Sequence, residues 1–243
     1  MDRLKLIRGE FLSMSKKLAV ITGAGSGLGA SLARRFSDLG YHVALLGRNE
    51  DKLKKVGDTL KSDDFSVHSV DVADYFAVDT TFKVITEQYG DVDVLVNNAG
   101  TGAFKLLEDI SAEEINSMID VNVKGTIYCT QQVLPSMKKN NDGVIANVVS
   151  TAGLVGKLNE TVYCASKFGA RGFTEALLVE LKDTDIRIFG AYMGGMKTEF
   201  WDGILEEEQM RGLMDPEDIA DIIMGNVKER KNLTVEQVVI KNH

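Results

Sequence analysis

Tyr163 and Lys167 are the residues whose types and spacing most directly suggest chemistry in this chain. If their segment is helical, residues four apart share one face, and the phenol lies beside the ammonium. Free tyrosine titrates near about pH 10, and a cation roughly 4–6 Å away lowers that pKa. Such a pair could give and take a proton near neutral pH. Alone, however, it is more typical of a solvated helix face, so its meaning depends on the rest of the chain.

Composition excludes several classes of function. The chain has 243 residues, 44% of them hydrophobic and 26% charged, as expected of a globular protein with one large domain or two small ones. The net charge of −8 argues against nucleic acid as a partner, because phosphate binding requires a basic surface. The two cysteines, Cys129 and Cys164, indicate no disulfide scaffold and favour the cytoplasm, and Cys164 is interpreted as a buried structural thiol. The three histidines lie far apart and predict no metal site, and no apolar run is long enough to predict a membrane span.

Residues 1–15 are interpreted as a loose N-terminal extension. The segment is basic and partly apolar, but Lys5, Arg8 and Glu10 interrupt its apolar positions and no signal-peptide cleavage pattern follows. Translation could begin at Met1 or at Met14. Residues 16–243 are predicted to form one domain, because no linker, repeat or low-complexity tract divides them.

A glycine-rich turn follows the first predicted strand. Residues 18–21 form a short apolar run typical of a strand buried on both faces. Glycines at 23, 25, 27 and 29 come next, and a helical pattern of Leu28, Leu32, Phe36 and Leu39 stops at Gly40. A strand, glycine turn and helix in this order favour a nucleotide phosphate at the helix N-terminus. The alternative is a tight turn that needs glycine only for its backbone conformation.

Arg48 bears on which dinucleotide would bind. The second predicted strand, residues 43–46, ends at Gly47 and Arg48, where an acidic residue would hold the ribose 2′-hydroxyl of NAD. A guanidinium instead suits a 2′-phosphate by charge and geometry. NADP(H) is therefore favoured, with NAD(H) as the alternative. Arg48 could also be an exposed residue at a helix start, since Asn49 is a plausible N-cap.

Strands and helices alternate through the rest of the chain. Further strands are predicted at 66–70, 92–96, 144–149, 186–192 and 235–240. Between them, helices are predicted over 74–89, from Ser111 (which opens a capping box with Glu114) towards Lys139, from around Tyr163 to about Lys182, and from Asp215. This alternation predicts a single-domain α/β Rossmann fold, a doubly wound parallel sheet of about seven strands with helices on both faces.

With these elements in place, the chain resembles the short-chain dehydrogenase/reductase family from its first strand to about Thr198. The resemblance rests on the glycine turn, on Asp71-Val72, on Asn97-Asn98-Ala99-Gly100, and on Asn122, Ser150, Tyr163 and Lys167 in that order. It implies a turn at residues 97–100 that steadies the central sheet. It also implies cofactor contacts from Gly23, Ser26, Gly27, Leu28, Gly29, Arg48, Asp71, Val72, Asn98, Ala99, Gly100, Tyr163, Lys167, Gly194 and Thr198.

The resemblance also implies catalytic roles for four residues. Tyr163 would protonate or deprotonate the substrate oxygen while a hydride moves to or from the nicotinamide, and Ser150 would hydrogen-bond that oxygen. Lys167 would lower the pKa of the phenol and hold the nicotinamide ribose. Asn122 would distort its own helix and hold a water leading to Lys167. Physically, Ser150 and Tyr163 would be donors placed where charge builds up. A turn residue at Ser150 and a local polar residue at Asn122 are the alternatives.

The sequence departs from the family pattern in three places. Met193 stands before Gly194 where the family usually has proline, which questions the rigidity of that turn. Ser26 stands where many NADP-preferring members have a basic residue, leaving Arg48 as the main phosphate partner. The C-terminal residues 237–243 lack the glycine-rich end of the 3-oxoacyl-carrier-protein reductases, so that activity is only a weak candidate.

Residues 193–214 are predicted to form a lid over the substrate. Their apolar members, Phe200, Trp201, Ile204, Leu205 and Met210, suggest a mostly apolar carbonyl or alcohol substrate. An amphipathic helix packed on the body is the alternative, and Glu206 to Glu208 are interpreted as a solvated face.

The apolar surface of the helices that contain Asn122 and Tyr163 predicts a homodimer or homotetramer. Function is expected to be NADP-dependent carbonyl reduction or alcohol oxidation. The alternatives are an NAD-dependent alcohol or sugar dehydrogenase and a non-catalytic dinucleotide-binding sensor or scaffold.

Overall fold

The computed structural model describes residues 16–242, so the predicted N-terminal extension lies outside the described residues. Seven strands form one parallel sheet in the order β3-β2-β1-β4-β5-β6-β7. The strands are β1 (Leu18–Thr22), β2 (His42–Gly47), β3 (Phe65–Ser69), β4 (Val94–Asn97), β5 (Val144–Val148), β6 (Arg187–Met193) and β7 (Gln237–Ile240). The helices are α1 (Gly27–Asp38), α2 (Glu50–Gly57), α3 (Tyr75–Tyr89), α4 (Ala112–Ile119), α5 (Thr126–Asn140), α6 (Thr161–Glu180) and α7 (Pro216–Val227).

Each face of the sheet carries its own core. Ala19 and Ile21 of β1 pack on the face covered by α1, α2 and α7, while Leu18 and Val20 pack on the face covered by α3, α5 and α6. Alternate residues of a strand point to opposite faces, so a strand buried on both sides needs an unbroken apolar run. The predicted doubly wound Rossmann fold is confirmed.

Local sequence signals predicted most helix and strand ends to within two residues. Ser111 and Glu114 form the predicted capping box at the start of α4, and Gly90 ends α3 with a positive φ of 93°. The predicted stop of α1 at Gly40 is confirmed, because the helix ends at Asp38 and Gly40 follows with a positive φ of 81°. The predicted apolar position Leu39 is 66% exposed. Predicted strand ends are shifted by one or two residues, as for β3, which spans Phe65–Ser69.

The long helix predicted from Ser111 towards Lys139 is divided into two α-helices. A π-helical segment, Asp120–Gly125, joins α4 to α5 and contains Asn122. Such bulges disturb the regular backbone hydrogen bonding and are frequent at functional sites. The distortion implied by the family resemblance at Asn122 is therefore present, and the Asn122 side chain is buried.

Candidate active site

A cleft of about 450 Å³ opens at the carboxyl ends of the strands. Loops that follow β1, β2, β4, β5 and β6 form its wall, around the point where the strand order reverses between β1 and β4. Ligands of open α/β sheets bind at such a switch point. The predicted site residues in the wall are Gly23, Ser26, Gly27, Leu28, Arg48, Asn98, Ala99, Gly100, Ser150, Tyr163, Lys167, Gly194 and Thr198.

The glycine turn is shaped by close backbone contacts. Gly27 has a positive φ of 49°, and a Cβ there would lie 2.8 Å from Cγ2 of Thr198. A Cβ on Gly29 would lie 2.2 Å from the carbonyl oxygen of Gly23, so this residue must be glycine for α1 to pack on the turn. Gly27 thus lines the cleft at the start of α1, and Gly29 supports it from behind, as a backbone cradle for a pyrophosphate requires.

The turn after β4 is tied to the end of β1. The Asn98 side-chain amide donates to the carbonyl of Thr22 at 3.0 Å, and the backbone N–H groups of Asn98 and Ala99 both donate to the Thr22 hydroxyl at 3.0 Å. These bonds hold two neighbouring strand ends together at the centre of the cleft. They give the turn at residues 97–100 the supporting role implied by the family resemblance.

Ser150 and Tyr163 lie together in the wall of the cleft. Ser150 follows β5 and its Oγ accepts a hydrogen bond from the backbone of Ala152 at 3.1 Å, so the residue does act in a turn. Its hydroxyl proton remains available to a substrate oxygen. Tyr163, in the first turn of α6, is 8% exposed.

Lys167 lies one turn further along α6. Its Nζ is 5.8 Å from the centre of the Tyr163 ring and donates to the carbonyl of Val148 at 3.4 Å. Burial lowers the pKa of Lys167 to about 8. Burial also raises the pKa of Tyr163, an effect that the nearby Ser150 hydroxyl partly opposes. Desolvation therefore disfavours the charged form of both groups in the protein chain by itself, and the lowering of the phenol's pKa by Lys167 stays a prediction.

Asn122 lies behind this pair and not in the wall of the cleft. Its Oδ1 accepts from the backbone N–H of Thr101 at 2.9 Å, and its Nδ2 donates to the Thr101 carbonyl at 2.8 Å and to Ser166 at 2.9 Å. A Cβ on Gly100 would lie 3.3 Å from Asn122 Oδ1 and 3.5 Å from Lys167 Nζ. The amide and the ammonium thus face the same small space beside Gly100. The water that the resemblance implies between Asn122 and Lys167 stays a prediction.

Asp71 and Val72 are outside the wall of the cleft. Asp71 accepts from the backbone of Ala73 at 3.0 Å, in a local turn. Val72 packs against Gly125 of the π-helical segment, whose Cβ would lie 2.7 Å from it. These contacts give both residues a structural role, and the adenine contact stays a prediction.

Arg48 and Lys52 line the cleft on its β2 side, and β2 lies three strands away from β5, which Ser150 follows. Arg48 is exposed at the end of β2, and Asn49 caps α2 by accepting from the backbone of Lys52 at 3.0 Å. Both interpretations of this segment are therefore compatible: Asn49 is the N-cap, and Arg48 still presents a guanidinium to the cleft.

The segment at 193–214 contributes an aromatic wall. Phe200 and Trp201 line the cleft within a short 3₁₀ turn, Glu199–Trp201, and the indole N–H of Trp201 donates to the Met196 carbonyl at 3.0 Å. No α-helix forms in this segment, so the alternative of a packed amphipathic helix was wrong. Ile204 is 40% exposed, and Glu206 to Glu208 are exposed as expected.

The turn at Met193-Gly194-Gly195 is held without proline. The Gly194 N–H donates to the Ile240 carbonyl at 3.0 Å, and the Asn242 side chain donates to the carbonyl of Gly195 at 3.1 Å. The C-terminal segment therefore restrains a turn whose rigidity the sequence left in question.

Sequence reasoning missed several residues of the wall. Phe104 packs its ring 5.2 Å from that of Tyr163 and 5.0 Å from that of Trp201, between centroids. Sequence reasoning also missed four charged residues of the wall, which are Lys52, Lys157, Glu160 and Glu199. Their positions after strand ends were an available signal, because such segments meet at one edge of a parallel sheet.

The chain matches the sequence model described as short chain dehydrogenase over residues 17–209. It belongs to the short-chain dehydrogenase family. Like other members, this short-chain dehydrogenase is an oxidoreductase that acts on a small molecule. An uncharacterized oxidoreductase of Staphylococcus aureus (strain N315) is 32% identical over 228 residues, which are 94% of this chain and 98% of that protein.

Solved structures of other proteins agree with this assignment. An alcohol dehydrogenase of the archaeon Thermococcus sibiricus, complexed with 5-hydroxy-NADP, is 32% identical with a TM-score of 0.85, over 92% of this chain and 95% of that chain. A closed form of serine dehydrogenase complexed with NADP⁺ is 29% identical with a TM-score of 0.86, over 91% and 93%. Within residues 16–242, no helix of this short-chain dehydrogenase is long and apolar enough to cross a membrane, and no group of three potential metal ligands occurs.

Proposed function

We propose that this short-chain dehydrogenase interconverts a carbonyl compound and a secondary alcohol with NADP(H), using Tyr163 as general acid and base. One observation carries the proposal. Ser150, Tyr163 and Lys167 share the wall of a cleft whose other end presents the guanidinium of Arg48. A binding module without catalysis has no use for a buried phenol beside a serine hydroxyl and an ammonium.

The residues of the cleft divide the chemistry between them. A bound nicotinamide would supply or accept the hydride. Ser150 and Tyr163 hydrogen-bond the substrate oxygen, where negative charge builds up as a carbonyl is reduced. Tyr163 gives this oxygen a proton in reduction and takes one in oxidation. Lys167 stabilises the phenolate that results, and Asn122 holds the lysine from behind.

The cleft also fits a dinucleotide. Gly27 lets the backbone at the start of α1 approach a pyrophosphate, and a side chain there would meet Thr198. Arg48 gives the β2 side of the cleft a positive charge that suits a 2′-phosphate, while the neighbouring Lys52 is paired with Glu199. The NADP-type ligands of the T. sibiricus enzyme and of the serine dehydrogenase support the same choice. NAD(H) is the alternative cofactor.

The remaining parts of the proposal concern the substrate and the surroundings of the enzyme. Phe104, Phe200 and Trp201 favour a substrate with an apolar part beside its carbonyl or alcohol group, and residues 193–214 would cover it. Both cysteines are buried free thiols, which suits the cytoplasm. Assembly as a homodimer or homotetramer is part of the same proposal.

Tyr163→Phe tests the catalytic role. Removing the hydroxyl should lower kcat by about 10²–10⁴-fold, because the proton transfer is lost. The ring should still pack on Phe104, so the fold and NADPH affinity should be kept. Trp201, the single tryptophan of the chain, lines the cleft and reports that binding by fluorescence. Turnover of a panel of carbonyls and alcohols within a few-fold of the wild-type rate would contradict the proposal.

Arg48→Asp tests the cofactor preference. The change removes a guanidinium and adds an acceptor suited to a 2′-hydroxyl, so the NADPH-to-NADH ratio of kcat/KM should fall by about tenfold or more. Steady-state kinetics with both cofactors measures this ratio. Asp51→Asn, an exposed charge change in the first turn of α2, is the matched control and should leave the ratio unchanged. An unchanged ratio in Arg48→Asp would refute the 2′-phosphate role.

A further inference from the structure

Glu160 is a half-buried carboxylate in the wall of the active-site cleft. It immediately precedes α6 and lies three residues before Tyr163. Among the described residues, its carboxylate makes neither a hydrogen bond nor an ion pair. Burial raises its pKa, and its charge in turn raises the pKa of Tyr163. The proposed mechanism gives this group no task.

A structural role explains the carboxylate poorly. Acidic groups are favoured near helix N-termini, but the Glu160 side chain makes no capping hydrogen bond to α6. Lys157 acts to lower the pKa of Glu160, but burial outweighs that effect, and a carboxylate beside a phenol opposes loss of the phenolic proton. A cation delivered by the substrate would remove both costs.

The rest of this end of the cleft suits an organic cation. Phe104, Phe200 and Trp201 form an aromatic wall, with ring centroids 5.0–6.0 Å apart. Aromatic faces attract ammonium groups, most strongly where water is excluded. Lys157 is the opposing charge in the same wall, and its Nζ donates to the Thr151 hydroxyl at 3.0 Å. A carboxylate and aromatic rings therefore favour an ammonium group, and one lysine opposes it.

We propose that Glu160 is a specificity-determining residue that binds an ammonium group on the substrate. Amino-substituted carbonyls and secondary alcohols are then preferred over neutral molecules of the same shape. This inference rests on the proposed function and deepens it. Pairing the carboxylate with the substrate cation also removes uncompensated negative charge from beside Tyr163, so recognition and proton transfer act together.

The test compares two alcohols that differ only at the recognised group. In 1-amino-2-propanol an ammonium replaces a terminal methyl of 2-butanol, and both are oxidised with NADP⁺ near neutral pH. Glu160→Gln should lower the ratio of their kcat/KM values by about tenfold or more, because only the amine loses its partner, whereas a change in the pKa of Tyr163 affects both alcohols and cancels in the ratio. Lys157→Gln is the matched control in the same wall. It should leave the ratio unchanged or raise it, because it removes a repelling cation.

A binding measurement without turnover distinguishes failure of the role proposed for Glu160 from failure of the proposed function. Quenching of Trp201 fluorescence by 1-amino-2-propanol should weaken in Glu160→Gln and not in Lys157→Gln. If neutral alcohols are oxidised but Glu160→Gln changes neither the ratio nor the binding, the role of Glu160 is overturned and the proposed function stands. If no alcohol or carbonyl reacts, the proposed function fails, and the fluorescence titration still decides whether Glu160 binds the amine. Lower thermal stability with an unchanged ratio would show a purely structural role.

Discussion

The pair of Tyr163 and Lys167 shows how burial and charge oppose each other within one helix turn. Both groups are more than nine-tenths buried, and each has its charged form disfavoured by desolvation. The protein chain by itself therefore favours the neutral phenol of Tyr163, and it lowers the pKa of Lys167 to about 8. A negatively charged ligand beside Lys167 would favour its protonated form, and that cation would then favour the phenolate. We expect the phenol to be fully activated only when the dinucleotide is bound.

The titration of Lys167 should be measurable in the pH dependence of the free energy of unfolding. Its folded-state pKa of about 8 is below the ordinary lysine value of 10.5. Between these values the unfolded chain binds more protons than the folded one, so the free energy of unfolding rises with pH. The contribution should be on the order of 3 kcal/mol across this window. Urea unfolding of the wild type and of Lys167→Met at several pH values measures it as a difference.

The control for this experiment is an exposed lysine. Lys61→Met removes an ammonium group from the surface and should keep the wild-type pH slope. The expected result is that Lys167→Met loses the rise between about pH 8 and pH 10. Parallel curves for the wild type and Lys167→Met would show that the lysine is not desolvated in the folded protein.

At the scale of elements, one ion pair connects α2 to the segment over the cleft. Lys52 of α2 pairs with Glu199, which begins the 3₁₀ turn containing Trp201, and both residues line the cleft. We expect this pair to slow cofactor release by holding the segment closed. Glu199→Gln should raise the NADPH dissociation rate by no more than a few-fold, because exposed ion pairs contribute little. Stopped-flow fluorescence of Trp201 measures this rate.

A second experiment separates the ion pair from a phosphate contact of Lys52. If Glu199→Gln speeds the release of both NADPH and NADH, the ion pair itself holds the segment closed. The double variant Lys52→Glu with Glu199→Lys exchanges the two charges and should restore slow release of NADH. Glu207→Gln, in the exposed acidic run, is the matched control. Identical dissociation rates in the wild type and Glu199→Gln would contradict the prediction.

The elements differ in how far the sequence could predict them. β1 was predictable because a strand buried on both faces needs an uninterrupted apolar run, and α4 because its capping box is local. The order of functional residues then located Ser150, Tyr163 and Lys167 at one sheet edge. The conformation of residues 193–214 was not predictable, because Phe200, Trp201, Ile204 and Leu205 are spaced as on a helix. In the structure no α-helix forms there, and Phe200 and Trp201 line a cleft built by distant loops. The pair of Lys52 and Glu199 spans 147 residues and has no local signal.

The whole molecule has an acidic charge balance and an apolar outer surface on α6. Two of its large side chains, Phe168 and Val179, are 42% and 70% exposed although they belong to the helix that carries Tyr163 and Lys167. They lie 11 residues apart, which is about three helical turns, so they share one face. The opposite face of α6 packs on the sheet through residues such as Leu177. An apolar helix face that is left uncovered in one chain is typical of an interface between copies.

We therefore expect the protein to be a homodimer or homotetramer that uses this face of α6. Light scattering at micromolar concentration should give two or four times the mass of one chain. Val179→Lys should shift the protein towards monomer, because it places a charge on the apolar face of α6. Leu39→Lys, at another exposed apolar position beyond α1, is the matched control and should keep the wild-type mass. A monomer mass for the wild type would refute the assembly, and an unchanged mass for Val179→Lys would place the interface elsewhere. Because α6 also carries Tyr163 and Lys167, loss of activity together with dissociation would show that assembly holds the catalytic helix in position.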